Sequence, residues 1–131
     1  MLHPVFVYGS LKKGFHNQNF LQTATFVGEE KLLDYKMYSL GNFPGIIYAP
    51  QTGKNIQGEL YLCNTTIIRA LDRLEGHPNF YERAFLTLAS GRKAWVYIYK
   101  LDWESLPLVE SGVWVEPNYS RKFGNEQKGI A

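Results

Sequence analysis

Residues 64–83, NTTIIRALDRLEGHPNFYER, constrain this chain more than any other stretch. Asn64, Thr65 and Thr66 are helix-capping residue types, because a side-chain oxygen there accepts from a free amide of the first turn. Ile67, Ile68, Leu71 and Leu74 recur at helical spacing and form one apolar stripe. Gly76 tolerates a left-handed stop and Pro78 cannot continue the ladder, so the helix ends there. At about 100° per residue, Glu75 falls between Leu71 and Ile68, in the middle of that stripe. Asp72, Arg69 and Arg73 fall on the other side, toward solvent. A carboxylate on a core-facing position is costly unless it has partners. Desolvation disfavours its charged form and moves a Glu toward the range where it takes and returns a proton near neutrality. The competing reading leaves Glu75 at a frayed helix end, turned to water or paired with Arg73 or Arg83.

With 131 residues the chain is expected to form a single domain over 1–131, large enough for one core, with 120–131 a polar, mobile tail. Hydrophobic content of 45% and charged content of 20% describe a globular protein rather than a disordered or fibrous one. A net charge of +2, with no clustering of Lys and Arg, argues against a nucleic-acid partner. Cys63 is the single cysteine, so no internal disulfide forms and a reducing compartment is expected. The first residues carry no basic region followed by an apolar run, and no stretch reaches the roughly 18–20 apolar residues of a membrane helix. The expectation is a cytoplasmic protein without a membrane partner.

Residues 4–8, PVFVY, read as a buried first strand of β-branched and aromatic residues. They run into Gly9-Ser10-Leu11-Lys12-Lys13-Gly14. Two readings stand there: a tight turn after an edge strand, or backbone amides arranged as an anion cradle. Gly9 and Gly14 have the spacing of a phosphate loop, but Phe15 and His16 stand where that motif needs Lys and Ser or Thr. Residues 17–24 suit one or two helical turns with Phe20 and Leu21 inward. Residues 25–33 read as a strand with a bulge at Gly28, and 36–40 and 46–48 as two further short strands around a Gly-Pro-rich turn. Residues 56–63 form a strand leading into the helix, and 80–89 with 93–101 form a hairpin across Ser90-Gly91-Arg92. In the last strand Trp95, Tyr97 and Tyr99 alternate with Val96 and Ile98, so either both faces are packed or one lines a cavity. Six or seven short strands with one main helix predict an α+β domain. Its sheet is small, mixed and closed or strongly curled into a β-barrel, with short flanking helical turns.

The remaining chemistry-bearing residues carry little signal by themselves. His3, His16 and His77 lack second ligands at metal spacing, so no metal site is expected. Cys63 reads as a buried structural thiol. Ser10 has no base named for it, and no nucleophile-elbow pattern surrounds it. Lys12, Lys13, Arg121 and Lys122 read as solvated. Strand alternation puts Tyr81 and Arg83 on one side, where they support a pocket; Arg83 either orients Glu75 or meets a substrate carboxylate.

Two segments together carry a family resemblance. Val5-Phe6-Val7-Tyr8-Gly9-Ser10-Leu11-Lys12-Lys13-Gly14, followed by Asn17, resembles the opening signature of the gamma-glutamylcyclotransferase-like family, in particular its gamma-glutamylamine cyclotransferase branch. Leu71-Asp72-Arg73-Leu74-Glu75-Gly76, followed by Tyr81-Glu82-Arg83, resembles that family's Glu-bearing segment. The resemblance implies a small β-barrel with flanking helices and a reaction that forms 5-oxoproline. It implies that Glu75 transfers protons and that Tyr8, Gly9, Ser10 and Leu11 bind the γ-glutamyl group of a small-molecule substrate. No metal or cofactor is implied. Members differ in leaving group, and some small members have no established activity. A binding module that holds a small acidic metabolite in the same cavity is therefore the alternative reading. Phe43, Tyr48, Trp95 and Trp114 are the expected pocket walls.

Overall fold

The computed structural model describes residues 1–116; the expected tail, with Arg121 and Lys122, lies outside the described residues. Among the described residues, seven strands and one α-helix follow one another as β1 (Leu2–Val7), β2 (Thr25–Ser39), β3 (Pro44–Tyr48), β4 (Lys54–Asn64), α1 (Thr65–Glu75), β5 (Tyr81–Thr87), β6 (Lys93–Tyr99) and β7 (Leu108–Val109). A short 3-10 turn, Gln18–Leu21, precedes β2. The strands make one mixed sheet in the order β3-β2-β4-β1-β6-β5, with β7 pairing β2.

β1 is central rather than an edge strand. It runs antiparallel to β4 and parallel to β6, with Val5 opposite Trp95 and Phe6 opposite Val96. Burial on both sides explains its unbroken Val-Phe-Val run, since an edge strand would leave one side of its backbone to water. The edge-strand part of the tight-turn reading is thus corrected: a turn does follow β1, but the chain that continues past Val7 leaves from the middle of the sheet.

The sheet curls until its ends meet. The Tyr81 hydroxyl at the start of β5 donates to the Pro44 carbonyl at the start of β3. A Cβ added to Gly45 would lie 2.8 Å from the Tyr99 Cβ, so β3 approaches β6 as closely as only glycine allows. The result is the expected α+β, strongly curled mixed sheet with one main helix. Its core is formed by Val5, Phe6, Tyr8, Leu60, Leu71 and Val96 among others.

Three local expectations are corrected. Residues 25–33 and 36–40 are one strand, β2, not two. Its register with β4 slips at the expected Gly28 bulge and again between Leu32 and Tyr35, where Asp34 takes φ 73°. A short polar side chain tolerates that left-handed conformation, so the strand kinks without ending. Of the two residues expected inward in the 3-10 turn, Leu21 is buried and Phe20 is 36% exposed. β7, which the sequence did not distinguish from loop, pairs with β2 through only two residues.

Candidate active site

α1 ends where its capping residues place it. Asn64 Oδ1 accepts from the Ile67 amide at 2.9 Å, and Gly76 stops the helix at φ 68°, ψ 37°. The Gly76 and His77 amides close the last turn on the carbonyls of Arg73 and Asp72. Because the cap and the stop fix the helix's length, the stripe is carried through to Glu75, the last helical residue. Glu75 is 0% exposed, as is Leu71 beside it. It is therefore not turned to water. Arg73 is exposed, and the Arg83 guanidinium bonds Asp72.

Three buried tyrosines feel the charge of Glu75. Burial, and next the charge of Glu75, hold the Tyr8 phenol well above its ordinary range, while an Ile46 amide opposes them. For Tyr81, burial acts first, followed by Tyr8 and then Glu75. Tyr97 is raised by burial first, then by its bond to Asp72 and by the charges of Asp72 and Glu75. All three therefore remain protonated across the neutral range. Tyr8 is aimed by a 2.7 Å hydrogen bond from its hydroxyl to the Tyr97 carbonyl. Glu75 sits at the helix C-terminus, where the backbone dipole adds to the cost of a negative charge.

The loop after β1 is held from several sides. The Lys12 amide turns back to the Gly9 carbonyl at 3.0 Å, and Asn17 binds Ser10 through both its amide and its side chain. The Lys13 amide donates to Glu59 Oε1 at 2.8 Å, which anchors the loop to β4. Ser10 and Leu11 are fully enclosed. The Leu11 side chain belongs to the core, so its part in any ligand contact is through backbone. Lys12 is not solvated as expected: it is buried, with Nζ donating to the Trp114 carbonyl at 3.0 Å. Lys13 is exposed and lies over the Phe26 ring.

Tyr8 and Tyr81 thus both lie within electrostatic reach of Glu75, and Gly9, Ser10 and Leu11 continue along the chain from Tyr8. Arg83 shares the sheet face of Tyr81 but is drawn to Asp72 and stacks over Trp95 at 4.5 Å. Asp72 is half-buried, not solvent-facing as the helical wheel predicted. Of the expected walls, Phe43 packs edge-on to Phe80, Tyr48 is exposed beside Tyr35, and Trp114 is buried. Asp72 and Asn17 entered the sequence reading without a site role of their own, through the helical wheel and the resemblance, and Glu59 did not enter it. Only the aromatic alternation of β6 hinted at Tyr97. Cys63 is a buried thiol that desolvation pushes up to about 12. Among the described residues no three His, Cys, Asp or Glu side chains gather as metal ligands, and no helix is long and apolar enough to cross a membrane.

Residues 5–116 match the family model described as gamma-glutamyl cyclotransferase, AIG2-like. The gamma-glutamylcyclotransferase family protein ytfP of Citrobacter rodentium is 35% identical over 112 residues, covering 86% of this chain and 95% of that protein. The solution structure of ytfP from Escherichia coli, 32% identical, superposes with a TM-score of 0.68 over 86% of this chain and 96% of that one. An AIG2-like protein from Mus musculus, 26% identical, superposes with a TM-score of 0.69 over 88% and 96% of the two chains.

Proposed function

This chain belongs to the gamma-glutamyl cyclotransferase, AIG2-like family, and we propose that it cyclises γ-glutamyl amines, or related γ-glutamyl amides, to 5-oxoproline with release of the free amine. The observation that carries this reading is the enclosure of Glu75 among buried phenols beside the loop that follows β1.

The substrate's α-ammonium must lose a proton before its nitrogen attacks the side-chain carbonyl. Glu75 takes that proton. The enclosed carboxylate accepts it, and the leaving nitrogen, a far stronger base once its bond to the carbonyl carbon breaks, draws it back. The amine nitrogen then closes a five-membered ring, and the carbonyl oxygen takes up negative charge. As the tetrahedral centre collapses, the bond to the leaving nitrogen breaks and Glu75 returns the proton to it; the ring nitrogen sheds its second proton, which the released amine carries away as an ammonium. The phenols of Tyr8 and Tyr81 stay protonated beside Glu75, which leaves the carboxylate as the group that exchanges protons near neutrality. Backbone amides of Tyr8, Gly9, Ser10 and Leu11 hold the α-carboxylate or the developing oxyanion. No step calls for a metal or a cofactor.

The test is release of 5-oxoproline from a panel of γ-glutamyl amines, γ-glutamyl dipeptides and glutathione. Turnover restricted to the amines supports the full reading, and turnover of another class only reassigns the leaving group. Binding without release from any of them establishes the non-catalytic binding module instead.

A further inference from the structure

The reading of Glu75 as the proton-transfer group leaves a half-buried polar cluster at the same helix end without a role. Asp72 lies three residues before Glu75, about one helical turn away, on the outward side of the same helix end. Its carboxylate accepts three hydrogen bonds. Tyr97 donates its hydroxyl to Oδ1 at 2.6 Å, and Arg83 donates Nε to Oδ1 at 2.8 Å and Nη2 to Oδ2 at 3.2 Å. Arg83 and Tyr97 stand directly opposite each other across β5 and β6, so one carboxylate grips a cross-strand pair. Trp95 backs the guanidinium, and the Arg83 amide donates to His77 Nδ1 at 3.2 Å, which ties the turn after the helix to the same strand.

Tyr97 is the joint of this arrangement. Its hydroxyl reaches Asp72, and its carbonyl accepts the Tyr8 hydroxyl at 2.7 Å. The helix end that carries Glu75 and the buried phenol of Tyr8 are therefore both hung from one residue of β6. We propose that Asp72 is a positioning residue. Through Tyr97 and Arg83 it fixes the rotation of the last turn of α1, and so aims Glu75 for proton transfer with the substrate. This inference rests on the proposed role of Glu75. A rotation of the last turn that moved the Glu75 carboxylate by about 1 Å would cost on the order of a hundredfold in rate, since proton transfer needs hydrogen-bond contact.

The experiment measures kcat and KM for 5-oxoproline release, with Tm, for wild type, Tyr97→Phe, Asp72→Asn, Glu75→Gln and Leu32→Val. Tyr97→Phe removes the hydroxyl but keeps the carbonyl that holds Tyr8. Leu32→Val shortens a buried side chain of β2 that the mechanism does not use, and serves as a match for lost stability. The expected result, well below every Tm, is a fall in kcat of about tenfold or more for Tyr97→Phe and Asp72→Asn, with KM within about threefold. Leu32→Val should keep the wild-type kcat. A folded Tyr97→Phe with kcat within about twofold of wild type overturns the positioning role, and an inactive Glu75→Gln beside it leaves the proposed function standing. Should Asp72→Asn fail to fold, Tyr97→Phe alone decides. A wild type that releases no 5-oxoproline overturns both readings.

Discussion

Tyr81 donates its hydroxyl hydrogen to the Pro44 carbonyl, so the first residue of β5 is tied to the first residue of β3. These strands stand at opposite ends of the sheet path, and the bond is what converts a curled sheet into a nearly closed one. The Tyr81 ring is wholly buried and packs edge-on against Phe80 and Tyr99. Tyr81→Phe preserves that packing but leaves a buried carbonyl without its donor. The expected loss is about 1–3 kcal/mol in urea-induced unfolding at unchanged m-value. Wild-type stability in this variant would mean that ring packing alone closes the sheet.

Gly76→Ala tests the stop that holds Glu75 inside. Gly76 has φ 68°, and an added Cβ would lie 2.9 Å from the Phe80 Cβ. The left-handed conformation costs an Ala about 1–2 kcal/mol, and the contact pushes the turn after α1 outward. Gly91→Ala is the comparison, because Gly91 has φ 96° in the β5–β6 turn with open space around it. Both variants should lose stability in thermal unfolding, whereas only Gly76→Ala should lose 5-oxoproline turnover. Equal turnover in the two would separate the helix stop from the site.

Asp72 also sets an acid limit on the fold. Burial pushes its carboxyl up, but hydrogen bonds from Arg83 and Tyr97 outweigh burial and hold it below the ordinary carboxylate range. A folded value below the unfolded one means that ionised Asp72 stabilises the fold above the unfolded value of about 3.9 and loses that effect as pH falls through the folded value. The Tm gap between wild type and Asp72→Asn should therefore be widest at neutral pH and narrow below about pH 4. A gap of constant size between pH 7 and pH 3 would show that the cluster does not depend on an ionised Asp72.

What could be read from the sequence is what local rules decide. The Asn64 cap, the Gly76 stop and the burial of Glu75 all follow from residues within one helix, and periodicity registers such features. The placement of Asp72 does not. Its wheel position points outward, yet the β5–β6 pair reaches over the helix end and covers it, a contact set by strand register. Lys12 was misread for the same reason, since its cover is Trp114, some hundred residues along the chain. β1 looked like an edge strand because its parallel partner, β6, begins near residue 93. Asp34 looked like a break because its positive φ lies inside a strand that continues past it.

Glu75→Gln is the sharpest test of the site. The substitution keeps the shape of the side chain and some hydrogen bonding but cannot take up and return a proton. General acid–base catalysis is worth about 10² to 10⁴ in rate, and a group that serves both half-steps belongs near the top of that range. The kcat for 5-oxoproline formation should therefore fall by at least about a thousandfold, while substrate affinity changes much less. The fold should be no less stable, because a neutral amide replaces a carboxyl that is fully enclosed. Turnover, ligand binding and Tm belong on one sample. A folded variant that keeps more than about a tenth of wild-type turnover would remove Glu75 from the proton path. Loss of folding would instead assign Glu75 to the core's structure.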